Sequence, residues 1–465
     1  AAIDRGAAFR ARRNTILDLT QTTAMSARYR SGHRRVRVVT VAPVGRIALG
    51  GGGENTAELP ALDAGVKHWR CRVDPLASLS TTREGLQRMA LELLRKLNSV
   101  GLMKQLSPAI GVDFGVTSLK LIQVQPGPVP TLIAAAMIDT PDEMVDDHSQ
   151  RLDFQLAQLS KLIKKGGFRG KRIICSLPSW QLFCKHLQVQ RIDGVPMSQV
   201  VGAAVGQQIG CDPGALVLRH REVSAAGSAK VEVIVNAAAR SAVQHMVHTM
   251  RKSGLEPVGM HSEFDAAMKA FEIAGGGDQD GIALYLDFGA HTTKAMIGHG
   301  KSIVFERIIE VGGRQLDRAV AKQLKCSMNE AKRTRLALER MMPESQAGEG
   351  MAMLRAAEQA SPNDSEVNLR EPLEILADEI RMGLRYHDGL FPGKRIDQAV
   401  FLGGESRQQA FSRAVATALG MNTKLADPLA KVARTGSEPS QGVDLKQPQP
   451  GFGVAVGLCH CPADL

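Results

Sequence analysis

Two eight-residue stretches carry the side chains of this sequence best suited to chemistry. Asp113-Phe114-Gly115-Val116-Thr117-Ser118-Leu119-Lys120 recurs as Asp287-Phe288-Gly289-Ala290-His291-Thr292-Thr293-Lys294. The shared pattern is Asp-Phe-Gly-x-x-(Ser/Thr)-x-Lys. Each copy follows an apolar run and leads into another strand-like stretch, so each predicts a β-hairpin closed by a tight polar loop. Gly115 and Gly289 let the backbone approach a ligand closely. Successive amides, with the hydroxyls of Thr117 and Ser118 or of Thr292 and Thr293, make a concavity suited to an anion. Lys120 and Lys294 are candidate phosphate contacts. Asp113 and Asp287 stand at strand ends and offer the carboxylate oxygens that Mg²⁺ takes, directly or through water. A single loop of this kind is an ordinary hairpin. Two copies at corresponding places predict a pair of loops that grip a polyphosphate across a cleft.

Further turns belong to the same chemistry. Gly312-Gly313-Arg314-Gln315 opens a predicted helix and could bring bare amides to a phosphate or ribose. Leu402-Gly403-Gly404-Glu405-Ser406 ends a strand and opens a helix, a turn that suits a nucleoside lying against backbone. Glu330-Ala331-Lys332-Arg333 either borders a base or forms a solvated face. His291 is expected to be a loop residue and His261 a strand-end histidine with its hydrogen bonds satisfied. Cys459-x-Cys461 lacks the second pair of ligands that a zinc site needs.

The elements that must position these residues are legible from 109 onward. Strands are predicted at 109–114, 118–125 and 131–138, a helix at 149–164 and a strand at 171–177. A strand at 182–189, a helix at 197–209 and strands at 215–223 and 230–238 follow. A helix at 240–252 stops at Gly254, ahead of a strand at 256–260 and a helix at 263–274. Gly275-Gly276-Gly277-Asp278 is the plainest hinge. The second half restarts with strands at 282–287, 292–298 and 301–309 and helices at 313–324 and 327–341. Residues 342–370, with Pro343, Gly348, Gly350, Pro362 and Asn363, are expected to be loop with room for one helix inside. A helix at 371–390, with Leu373, Leu376, Ile380 and Leu384 on one face, precedes strand 398–403 and helix 406–419. A Pro/Gln/Ser/Gly-rich loop at 434–451 leads to a short helix at 452–459. Both halves thus run three strands, helices, then more strand.

Composition bounds the rest. The 465 residues suffice for two or more domains, and the formal net charge is +11. Residues 1–102 carry 17 Lys and Arg against 8 Asp and Glu, whereas the remainder carries 41 against 39. The basicity therefore sits in an Arg-rich, weakly patterned extension, and no nucleic-acid surface is expected on the folded body. Within 1–102 only 84–99 predicts a helix. Met103 is the expected natural start. No apolar run approaches the roughly 18 residues of a membrane span, and no signal-peptide pattern is read. The 7 scattered cysteines form no disulfide framework, which fits a reducing, cytoplasmic setting.

These elements, in this order, resemble the actin-like ATPase superfamily, and within it the PilM family of type IV pilus and related secretion machines, itself similar to FtsA. The likeness spans about 108–460. It is carried by the Ile110-Gly111-Val112-Asp113 hairpin, by Val233-Ile234-Val235-Asn236-Ala237-Ala238-Ala239-Arg240 with Gly254-Leu255-Glu256-Pro257-Val258, and by Ile309-Glu310-Val311-Gly312-Gly313-Arg314-Gln315-Leu316. Asp378-Glu379-Ile380-Arg381, Val400-Phe401-Leu402-Gly403-Gly404 and Val454-Ala455-Val456-Gly457-Leu458 add to it. The resemblance implies an α/β, actin-like (ribonuclease-H-like) duplicated two-domain ATPase fold with an inserted small subdomain. Its halves would be 103–275, with the insert at about 185–262, and 276–465. It implies ATP and Mg²⁺ as cofactors, with 113–120 and 287–294 as phosphate loops and 402–406 as the adenosine loop. It further implies a scaffold at the inner face of the bacterial inner membrane, peripheral through its partners, that binds the short cytoplasmic peptide of a membrane-anchored, PilN-like protein. Self-association stays open.

The sequence departs from the family in two places. Gly206-Gln207-Gln208-Ile209-Gly210-Cys211 lacks the usual acidic, Pro-containing segment, which leaves Gln207 and Gln208 as weak candidates for orienting a water. An Asp common after the Gly-Leu-x-Pro-Val stretch is replaced by His261 or Ser262. Hydrolysis, if any, is therefore expected to be slow. Two alternatives stay in view. A small-molecule kinase of the same superfamily needs a carboxylate base, and none is evident between the loops. An FtsA-like filament or division protein usually ends in a basic amphipathic helix, which Gly457 to Pro462 does not resemble.

Overall fold

The computed structural model describes residues 28–31, 34–37, 107–223, 230–274, 281–341 and 367–465. The chain divides into two compact units, Ala1–Arg88 and Met89–Leu465. In the first, β1 (Arg28–Ser31) pairs antiparallel with β2 (Arg34–Arg37). The helix expected at 84–99, Met103, the glycine hinge at 275–278 and residues 342–366 of the expected loop lie outside the described residues.

The second unit begins with β3 (Ile110–Phe114), β4 (Ser118–Gln125), β5 (Thr131–Asp139), α1 (His148–Lys165) and β6 (Arg172–Leu177). Next come β7 (Phe183–Gln190), α2 (Met197–Ile209), β8 (Leu216–Glu222) and β9 (Lys230–Ala239). Then α3 (Arg240–Lys252), β10 (Glu256–Ser262) and α4 (Glu263–Ala274) follow. After these come β11 (Ile282–Phe288), β12 (Thr293–His299), β13 (Ser302–Ile309), α5 (Gly313–Leu324) and α6 (Met328–Met341). The remainder holds α7 (Arg370–Leu390), β14 (Gln398–Leu402), α8 (Gln409–Leu419), β15 (Thr423–Leu425), β16 (Ser440–Gln441) and α9 (Gly453–Leu458).

Two sheets repeat one topology. The first runs β10-β6-β3-β4-β5-β16 and the second β15-β14-β11-β12-β13. In each, an antiparallel three-strand meander is joined by parallel strands on the side of its first strand. The central strands β3 and β11 are buried almost throughout, so their apolar runs need no alternation. α1 is capped by Asp147, whose side chain accepts from the amides of Ser149 and Gln150, and lays Leu152, Leu156, Leu159 and Ile163 onto the first sheet. α7 covers the second sheet in the same way with Leu376 and Ile380.

α4 and α9 knit the two sheets together. Phe264, Met268 and Phe271 of α4 pack on Tyr285 and Met296 of the second sheet, while Ala266 faces Ile174, Val454 and Leu458. The two helices touch closely because residue 457 is glycine: a Cβ there would lie 1.7 Å from the Ala266 carbonyl oxygen.

Two boundaries differ from the expectation. The three-stranded insert sheet, β7-β9-β8, ends at Ala239, and β10 is hydrogen-bonded to β6 in the first sheet rather than belonging to an insert of about 185–262. The chain also leaves the second half before its end, since β16 pairs with β5 and Ala455 packs with Ile122 and Val124 of β4. β15 and β16 have no counterpart among the expected elements. They are three and two residues long, exposed, and without an apolar alternation to betray them.

Candidate functional site

The two repeated loops meet at one cavity of about 250 Å³. Register explains why. Asp113 pairs with Lys120 across β3 and β4, and Asp287 pairs with Lys294 across β11 and β12. In an antiparallel pair, opposed residues share a face of the sheet. Each loop therefore presents its carboxylate and ammonium side by side: Lys120 Nζ is 3.3 Å from Asp113 Oδ2, and Lys294 Nζ is 3.3 Å from Asp287 Oδ2.

Gly115, Thr117 and Ser118 line the cavity from the first loop, and Gly289, His291 and Thr292 from the second. Gly403, Gly404 and Glu405 form a further wall. Gly403 has φ +94, and a Cβ there would stand 2.2 Å from the Phe288 carbonyl oxygen, so the end of β14 can lie against the second loop only as glycine. Buried Gln155 of α1 holds the first loop by donating to the Gly115 carbonyl at 2.7 Å and to Thr140 Oγ1 at 3.1 Å.

Several expected residues stay out of the cavity. Thr293 points inward and donates its hydroxyl to the Val311 carbonyl at 2.7 Å. Gly312 and Gly313 do not line it, because the second loop consumes the helix amides: Gly313 N–H donates to Gly289 O at 3.2 Å and Arg314 N–H to Ala290 O at 2.7 Å. Ser406 is buried and spends its hydroxyl on the Gly403 carbonyl. Lys332 and Arg333 lie on α6 away from the lining, and Glu330 accepts from Ser327 in a turn-capping role. Gln207 and Gln208 are exposed on α2 in the insert, so neither can orient a water at the loops. His261 is buried, with Nε2–H donating to the Pro462 carbonyl at 2.8 Å, and His291 sits in its loop. Burial pushes the Cys459 and Cys461 thiols up to about 12, so both are protonated at pH 7.

The sequence missed the acid at the centre. Glu263, first residue of α4, lines the cavity, and its Oε2 lies 2.8 Å from Lys294 Nζ. Burial raises its pKa, the Lys294 ammonium lowers it, and the Asp113 and Asp287 carboxylates raise it. Burial alone would lower the Lys294 pKa, yet Glu263 and Asp287 hold that ammonium firmly protonated. A carboxylate between the loops is therefore present. The resemblance put His261 or Ser262 at this place, and the acid stands one residue after Ser262. The readable signal was an acid at the junction of a predicted strand and helix, where the helix N-terminus favours negative charge.

The cavity rim is polar and aromatic. Trp180 stacks on His148 with ring centroids 5.0 Å apart, and Trp180 and Arg151 line the space. Asp146, between β5 and α1, reaches across to His291 at 3.0 Å, to Arg314 and to Arg318 at 3.3 Å. Burial brings the His291 imidazole down to about 4, so it is neutral at pH 7 and donates Nε2–H to Asp146. Arg335, buried, ties Asp317 at 2.8 Å to Glu405 at 3.0 Å and so fixes the Gly403–Glu405 wall.

Among the described residues, no group of three or more His, Cys, Asp or Glu side chains is arranged as a metal cage, and no helix is long and apolar enough to cross a membrane. Mg²⁺ needs no such cage, since it keeps waters and takes one or two carboxylates beside phosphate oxygens. Asp113 and Asp287 fit that donor set.

Comparison with known proteins bears on the family and the fold. The family model for type IV pilus assembly protein PilM matches residues 111–351, and that for cell division protein FtsA matches 284–449. No curated protein matches the chain. A solved PilM-PilN type IV pilus biogenesis complex is similar at 22% identity, over 76% of this chain and 98% of that one, with a TM-score of 0.59. Ethanolamine utilization protein EutJ from Carboxydothermus hydrogenoformans aligns at 15% identity over 80% of this chain and 98% of that one, with a TM-score of 0.37. An activator of 2-hydroxyisocaproyl-CoA dehydratase from Clostridium difficile with bound ADPNP aligns at 13% over 76% and 92%, with a TM-score of 0.34. The fold is the duplicated actin-like one, on the PilM-PilN likeness and the family models. The two weaker alignments carry no argument.

Proposed function

Because the chain belongs to the PilM family of type IV pilus assembly proteins, we propose that it is an ATP-clamped scaffold, working at the cytoplasmic face of the bacterial inner membrane, that takes the cytoplasmic peptide of a PilN-like membrane protein. The observation that carries this is the mirrored pair of loops. Asp113 with Lys120 and Asp287 with Lys294 converge on one cavity from two sheets of the same topology. The two lysines and the loop amides would take the phosphates, Asp113 and Asp287 would hold Mg²⁺ through water, and Gly403 to Glu405 would lie against the nucleoside. Mg²⁺, when bound, neutralises phosphate charge. Glu263 stands where it can accept a proton from a water, so slow cleavage is within reach of these residues.

The partner is proposed to lie in a separate, mostly apolar groove of about 230 Å³ between the insert and the first sheet, with Leu177, Leu182, Val217, Val243 and Met260 on its walls. Closure around nucleotide would set the relation between halves, and the groove would present that state to the membrane partner.

A single-turnover assay with Mg-ATP tests the reading, following retention and cleavage in the full chain and in Asp287→Ala. Tight retention, cleavage over many minutes and loss of binding in the variant are expected. Equal ATP affinity in the two proteins overturns the clamp. The FtsA match over 284–449 favours a second reading, a filament-forming protein. ATP-dependent pelleting on sedimentation would select it.

A further inference from the structure

Residues 462–465 run along the groove assigned above to the partner. Leu465 N–H donates to the Val258 carbonyl at 3.0 Å. Asp464 pairs with Arg219 at 2.7 Å and lies 3.5 Å from His261 Nε2, which donates to the Pro462 carbonyl. Val258 belongs to β10, the edge strand of the first sheet, so the tail adds a main-chain bond to an edge that no other described strand pairs on that side. Asp464 and Leu465 line the 230 Å³ groove, whereas Cys461 and Pro462 line a neighbouring cavity of about 340 Å³. Both spaces share Arg219, Asn236, His261 and Asp265. The tail is thus a partition laid across one longer trough. Its seat is weak. The Arg219 and Asp464 side chains remain 54% and 32% exposed, where an ion pair contributes little, and Leu465 is 49% exposed.

We infer that this trough recognises an extended peptide bearing an acidic residue next to a large aliphatic one, and that residues 462–465 are an internal surrogate which the partner displaces. Three contacts define the chemistry: an edge-strand carbonyl for the peptide backbone, the Arg219 guanidinium for a carboxylate, and the apolar wall of Leu177, Leu182 and Met260 for the aliphatic side chain. The inference rests on the groove assignment proposed above and adds its regulation.

The test uses a fluorescein-labelled Pro-Ala-Asp-Leu peptide with blocked ends, titrated into the full chain, Asp464→Ala and Arg219→Ala. Loosening the tail in Asp464→Ala should tighten binding by about two- to fivefold over the unaltered chain, the scale of an exposed ion pair. Arg219→Ala, or Asn for Asp in the peptide, should bind about two- to fivefold more weakly than the Asp464→Ala pair. Unchanged Mg-ATP retention shows that both variants are folded. Equal peptide affinity in the unaltered chain and Asp464→Ala overturns the inference, as does the absence of binding to either. A second arm uses the cytoplasmic peptide of the PilN-like protein. If that peptide binds both proteins alike, the groove assignment stands and the displacement falls. If only the Pro-Ala-Asp-Leu peptide binds Asp464→Ala, the displacement stands and the PilN-like assignment falls.

Discussion

Glu263 of the first half and Lys294 of the second form an ion pair of 2.8 Å inside the cavity, so the pair that carries the central carboxylate also ties the halves together. Burial raises the Glu263 pKa, which makes this carboxylate a better proton acceptor than an exposed one. Glu263→Gln keeps the shape and removes the base. It is expected to retain Mg-ATP within a few-fold of the unaltered affinity and to cut cleavage by about 100-fold, the lower end of general-base effects. Single-turnover cleavage at an unchanged rate would remove Glu263 from the chemistry.

Glu306 sets a pH dependence elsewhere. It is buried on β13 where the insert meets the second sheet, facing Cys184 at 3.6 Å, Asn236, and Arg221 at 3.9 Å, while its amide donates to His186 Nε2 at 3.2 Å. Burial pushes its carboxyl from 4.5 up to about 7; Arg221 opposes this, and Asp265 adds to it. The folded state therefore holds this proton more tightly than the unfolded chain. Its contribution is complete below pH 4.5 and is lost as pH rises through about 7. Glu306→Gln should match the unaltered protein near pH 4.5 and exceed its stability by up to about 3 kcal/mol at pH 8. Urea unfolding at the two pH values checks this, and a difference independent of pH contradicts it.

Much of this architecture was legible because it depends on local pattern. The Asp-Phe-Gly repeat fixed both hairpins, and the apolar periodicities of α1, α3 and α7 placed helices within a residue or so of their ends. What was hidden depends on distant contacts. Thr293 looks like a loop hydroxyl, yet the pleat turns it away from the cavity toward Val311. The amides at Gly313 and Arg314 look free until the second loop folds back onto them. β16 has no pattern of its own and is a strand only because β5 leaves an edge open to it. Glu263 could be predicted as a helix start, but nothing local shows that Lys294 arrives from the other half.

Gly457→Ala probes the joint between the halves. Its Cβ would lie 1.7 Å from the Ala266 carbonyl oxygen, which is backbone of α4 and cannot swing aside. α9 would have to shift away from α4 and from β3 together. The expected cost is about 3 kcal/mol or more, in the range of overpacked cores. Thermal unfolding reads it directly, and a melting point within 2 °C of the unaltered protein would show that the helices slide apart cheaply.

Asp146 is the last relationship with a measurable consequence. It projects from the first half and meets His291, Arg314 and Arg318 of the second. Partial burial pushes its carboxyl up, but Arg314, His291 and Arg318 together hold it below the ordinary range, so it is ionised at pH 7. These contacts lie beside the second loop and must part if the halves separate to release a nucleotide. Each is at most a modest attraction, because the Asp146 side chain is 48% exposed. Asp146→Asn should therefore leave nucleotide affinity for the closed state intact and speed release by roughly fivefold, on the scale of weak exposed pairs acting together. Salt gives the decisive control. Raising ionic strength should accelerate release from the unaltered protein and hardly change it in the variant. Stopped-flow release of a fluorescent ATP analogue reads both. Equal release at low salt would mean that the halves part without breaking this cluster.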